Sequence, residues 1–120
     1  MKILADVLVG LVAVLHLYFL VLEMFFWTKP YGRRVFGLTA EKAELTKTLA
    51  ANQGLYNGFL AAGLAWGLYA GADGYPVKVF FLGCIIVAGI FGGATVKKKI
   101  LWVQAVPAAV ALALVCWTQA

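Results

Sequence analysis

A histidine and a glutamate, His16 and Glu23, stand seven residues apart inside an apolar run from Ile3 to Trp27. Seven residues are almost two helical turns, so on a helix both side chains share a face, about 10 Å apart along the axis. Ionisable groups inside a long apolar helix are costly unless partnered, and they commonly mark a relay, a pathway or a binding site. Burial penalises the charged form of each group, which lets the two trade a proton near neutral pH, directly or through a substrate. His16 and Glu23 are therefore the candidate catalytic acid/base pair.

Amides and a phenol supply the rest of the candidate set. Asn52, Gln53, Tyr56 and Asn57 cluster in a second apolar run, and Gln104 lies in a fourth. Carboxamides orient a charged group or bind a ligand carbonyl without adding charge. One imidazole, one carboxylate and amides are a poor ligand set for zinc or copper, so no metal site is expected. The residues name no cofactor.

The elements that must position these groups follow from composition. The 120 residues are 64% hydrophobic and 12% charged, with a mean hydropathy of +0.94. A soluble fold of this size has too little interior for so much apolar surface. The apolar residues fall in four blocks of roughly the 20 residues a helix needs to cross a bilayer. The expected architecture is an all-α integral membrane four-helix bundle, a single transmembrane domain with helices over about residues 3–27, 39–70, 77–96 and 100–118. The first block lacks a small-x-small cleavage site and is broken by His16 and Glu23, so it reads as a retained helix rather than a signal peptide.

The net charge of +5 would suggest nucleic acid in a soluble protein, but the positions point to the lipid bilayer instead. Lys29, Arg33, Arg34, Lys42 and Lys47 occupy the first connection and Lys97, Lys98 and Lys99 the third, leaving only Lys2 and Lys78 elsewhere. By the positive-inside rule those connections are cytoplasmic and both termini lie on the non-cytoplasmic side. The break at Thr28-Lys29-Pro30 ends the first helix, Arg33–Leu38 suits a segment in the headgroup region, and Thr39 is the expected N-cap of the second helix. Pro107 is expected to kink the fourth. Cys84 and Cys116 are isolated and read as core residues without a disulfide.

This topology places Glu23, Asn52, Gln53 and Gln104 at one level near the cytoplasmic boundary, with Asn57 a turn deeper. The outer half carries almost no polar groups. Helices 1 and 2 are expected as antiparallel neighbours, with Glu23 facing Asn52 or Gln53. Gly54-x-x-x-Gly58 and Gly63-x-x-x-Gly67 let helices approach closely, either within one bundle or as the face of a homo-oligomer.

The runs His16-Leu-Tyr-Phe-Leu-Val-Leu-Glu23-Met24, Val35-Phe-Gly-Leu38 and Ala51-Asn-Gln-Gly-Leu-Tyr-Asn-Gly58 together resemble the small bacterial membrane proteins grouped as domain of unknown function 1304. The resemblance covers essentially the whole chain. It implies a four-helix protein of the bacterial cytoplasmic (inner) membrane and assigns no reaction. The residues themselves favour a polar intramembrane pocket that binds, or does proton chemistry on, a small lipophilic molecule, and they leave open whether the protein is an enzyme. One alternative is a small proton-coupled exporter similar to the small multidrug resistance proteins, which carry a first-helix glutamate but lack this His and Asn-Gln-Gly run. Another is a non-catalytic membrane assembly subunit.

Overall fold

A computed structural model describes all 120 residues and contains no strand. Five helices follow one another: α1 (Lys2–Phe25), α2 (Pro30–Phe36), α3 (Ala40–Tyr69), α4 (Tyr75–Thr95) and α5 (Val106–Thr118). The additional helix is α2, over the stretch expected as a headgroup segment between the first two membrane helices. Pro30 starts it, since a fixed φ and a missing N–H suit the first helical position, and Gly37 ends it at φ 66°, a left-handed conformation that glycine adopts without a Cβ clash. Thr39 caps α3 as expected, its Oγ1 accepting the Lys42 N–H at 3.1 Å. Ahead of Pro107 the chain makes a π turn over Leu101–Ala105. Proline has no N–H to offer the carbonyl of Val103, and the looser turn accommodates that loss.

Three segments are long and apolar enough to cross a membrane: Lys2–Phe25, Gly71–Thr95 and Leu101–Thr118. α3 is the longest helix, at 30 residues, yet it is not among them. Its Asn52-Gln53 pair, Asn57 and charged first turns lower its hydropathy. Much apolar surface faces outward, as at Ile3, Leu11, Phe80 and Trp117, which suits lipid as the surrounding solvent.

The chain divides into two compact units. The first comprises Met1–Ala13 and Leu60–Ala120, with a core of Ala5, Val9, Val12, Leu64, Leu82, Ile85, Ala108, Ala111 and Val115. Small residues bring its helices together: a Cβ on Gly89 would fall 2.6 Å from the Ala105 nitrogen. Lys78 is buried in this unit, donating to Asp6 Oδ1 at 2.8 Å and to the Ala120 carbonyl at 2.7 Å. A lysine counted only as a loop charge is drawn inside, because Asp6 and a carbonyl compensate its desolvation.

The second unit is Val14–Phe59. Here α1 and α3 run antiparallel, with Gly58 against Leu20 and Gly54 against Met24 and Glu23. α2 is tied in by the Tyr18 and Tyr31 hydroxyls, 2.5 Å apart, and by Phe36 against the Trp27 ring, 4.7 Å between centroids. The Trp27 indole N–H donates to Thr46 Oγ1 at 3.0 Å.

Candidate functional site

Periodicity decides which polar side chains turn inward. On α1 the buried positions Ala5, Val9, Val12 and His16 are spaced four, three and four apart. Continuing that seven-residue rhythm from His16 reaches Glu23, which is partly buried. On α3 the buried positions Ala50, Gly54, Asn57, Ala61 and Leu64 keep a similar rhythm. At about 100° per residue, Asn52 lies nearly opposite that stripe, Tyr56 well round from it, and Gln53 just beyond its edge.

The consequence is that Glu23 meets Asn57. The Asn57 Nδ2 donates to Glu23 Oε1 at 2.5 Å, whereas Asn52, Gln53 and Tyr56 are exposed. The expected facing of Glu23 with Asn52 or Gln53 is thereby replaced. Gly54 causes the shift: a Cβ there would lie 2.7 Å from Met24 Cγ and 3.1 Å from Glu23 Cβ, so this position faces α1 and sets the rotation of α3. The glycines weighed as an oligomer face all pack within the chain, Gly54 and Gly58 on α1, Gly63 on Phe81 and Gly67 on Lys78.

Two features set the Glu23–Asn57 pair apart from a closed structural bond. The Asn57 side chain is 4% exposed, yet its Oδ1 is buried and accepts no hydrogen bond. Buried polar atoms are normally satisfied, and one left open next to a carboxylate calls for an explanation. In addition, Glu23 lines an open groove of about 320 Å³ with Met24, Phe25, Trp27, Thr28, Lys47, Thr48 and Ala51. One side of the carboxylate is thus held while the residue stays reachable. His16 is fully buried and packs edge-on against Phe19, with ring centroids 5.3 Å apart. Gln104 belongs to the other unit, half-buried on the π turn.

The arrangement offers an acid/base group on a groove lined by both polar and apolar side chains, and, outside that lining, a buried carboxamide oxygen without a partner. Sequence reasoning placed Asn57 among the candidates but gave the facing position to its neighbours. It missed the Lys78–Asp6 pair altogether. The available signal was two opposite charges near helix starts, Asp6 four residues after Lys2 and Lys78 three after Tyr75.

Comparison with known proteins places the chain in context. The family described as protein of unknown function (DUF1304) matches residues 10–116. The uncharacterized protein YpaA of Lactococcus lactis subsp. lactis (strain IL1403) is 33% identical over 106 residues, covering 87% of this chain and 89% of that protein. No solved structure matches.

Proposed function

The chain belongs to the DUF1304 family of proteins of unknown function, and we propose that it is a four-pass membrane protein whose Glu23–Asn57 pair handles a proton for a small lipophilic molecule. The observation that carries this reading is the 2.5 Å bond from Asn57 Nδ2 to Glu23 Oε1, beside a buried Asn57 oxygen with no partner. In this role Asn57 orients the carboxylate, Glu23 takes or gives the proton, and His16 on the same seam of α1 serves as the second acid/base group. A hydroxyl or amine of the bound molecule would meet the Glu23 carboxylate from the groove that Glu23 lines.

The four-pass reading adds α3 to the three apolar segments. The Asp6–Lys78 ion pair brings the starts of α1 and α4 to one end of their unit. The intervening chain must then run back along α1, and α3, about 45 Å long at 1.5 Å per residue, is the element able to do so. The basic stretches 33–47 and 97–99 then lie in the cytoplasm and both termini outside, in a bacterial inner membrane.

The test is to purify the protein in a mild detergent and measure copurified small molecules by mass spectrometry. A near-stoichiometric lipophilic compound is expected in the wild type and depleted in Glu23→Gln and His16→Ala. Equal content in all three proteins overturns the reading.

A further inference from the structure

We propose that the groove beside Glu23 takes the head of an amino-phosphate amphiphile, its primary ammonium on the Glu23 carboxylate and its phosphate diester toward Lys47. This names the ligand of the site described above and rests on that reading. The groove is lined by a carboxylate and an ammonium of opposite sign, Glu23 and Lys47, together with the hydroxyls of Thr28 and Thr48. Met24 and Trp27 complete an apolar wall. A ligand matching all of these carries a donor cation, an anion close to it, and a greasy continuation.

Position supports a membrane-derived head. The groove lies where α1 ends, next to Trp27 and a few residues from Lys29, Arg33 and Arg34; aromatic and basic side chains of this kind mark the headgroup level. Lys47 Nζ also bonds Glu44 Oε1 at 2.5 Å, but both side chains are more than half exposed. Such exposed pairs are weak, and an ammonium with three donors can turn to a phosphate oxygen. At roughly 30 Å³ per water-sized group, a groove of about 320 Å³ has room for a phosphoethanolamine head of about eight heavy atoms. A primary ammonium donates hydrogen bonds to a carboxylate, whereas a quaternary one has no N–H to give.

Delipidated full-length protein in detergent, titrated with phosphatidylethanolamine, phosphatidylcholine or phosphatidylglycerol of identical acyl chains and read by native mass spectrometry, tests this. The wild type should retain phosphatidylethanolamine at least about tenfold more tightly than the other two. Glu23→Gln should erase that preference. Lys47→Ala, a change at an exposed position, should weaken phosphatidylethanolamine binding with an unchanged Tm. Soluble glycerophosphoethanolamine separates the two sources of the same chemistry: competition at equal concentration assigns a soluble phosphoamine, and its failure assigns the lipid. Equal retention of the three lipids by the wild type, or an unaltered preference in both variants, overturns the proposal. If a different lipophilic compound copurifies and is lost in Glu23→Gln, this ligand is wrong and the site reading stands. If Glu23→Gln retains everything the wild type does, both fall.

Discussion

The Asn57 carboxamide on α3 donates to the Glu23 carboxylate on α1 at 2.5 Å, joining residues 34 apart in the chain. The pair is satisfied on one side only, since Asn57 Oδ1 is buried without a partner. Glu23→Gln keeps an acceptor for Asn57 Nδ2, so its ligand-free stability should stay close to that of the wild type. Glu23→Leu strands a second buried polar atom and should cost about 1–3 kcal/mol. Melting curves of the two variants in one detergent decide it, and equal losses would contradict this account of the bond.

Glycine positions should respond according to what a methyl group would meet. Gly89→Ala drives a Cβ to 2.6 Å from the Ala105 nitrogen and 2.9 Å from its Cα, where backbone cannot yield cheaply, so a loss of about 1–3 kcal/mol is expected. Gly83 has nothing within 4 Å of the added Cβ. Gly83→Ala should be neutral, or stabilising by up to about 1 kcal/mol through helix propensity. A chemical-denaturation series comparing the two single variants would refute the packing described for α4 if their order were reversed.

Lys78 is 2% exposed, whereas the Asp6 side chain is 48% exposed. The two partners should therefore be unequal. Asp6→Asn leaves a buried ammonium without its counter-ion and is expected to cost about 3 kcal/mol. Lys78→Met fills the same space without a charge and leaves Asp6 able to reach water, so its cost should be clearly smaller. Thermal stability of both proteins at one pH checks this, and a larger loss for Lys78→Met would mean that the cation is not the expensive member.

Topology can be read by labelling. With endogenous cysteines replaced, Lys98→Cys should react with an impermeant maleimide only after the membrane is opened. Ala120→Cys should react from outside in intact cells. Outside labelling of Lys98→Cys would reject the orientation, and protection of both positions would reject a crossing by α5.

Much of this was legible because it depends on local chemistry. The apolar blocks, the cap at Thr39 and the seam shared by His16 and Glu23 all follow from spacing and side-chain type. The family resemblance carried by the Asn-Gln-Gly run agrees with the DUF1304 match. What could not be read is rotational or compensatory. Asn52, Gln53 and Asn57 lie within about one and a half turns of one another; what selects among them is the angle around α3, set by the close approach of Gly54 to Met24 and Glu23. The burial of Lys78 depends on Asp6, 72 residues away, and no local pattern announces it. The π turn at Leu101–Ala105 is a relaxation around Pro107 that helix periodicity does not encode.

The central claim is that Glu23 works on a bound molecule rather than merely stapling two helices. The most direct measurement is the melting temperature of wild type and Glu23→Gln, with and without the lipid fraction extracted from the purified wild type. A ligand that binds only the folded protein raises its melting temperature by mass action. The account predicts a rise of several degrees for the wild type, little or none for Glu23→Gln, and matching melting temperatures for the two ligand-free proteins. An equal rise in both proteins, or none in either, would contradict it.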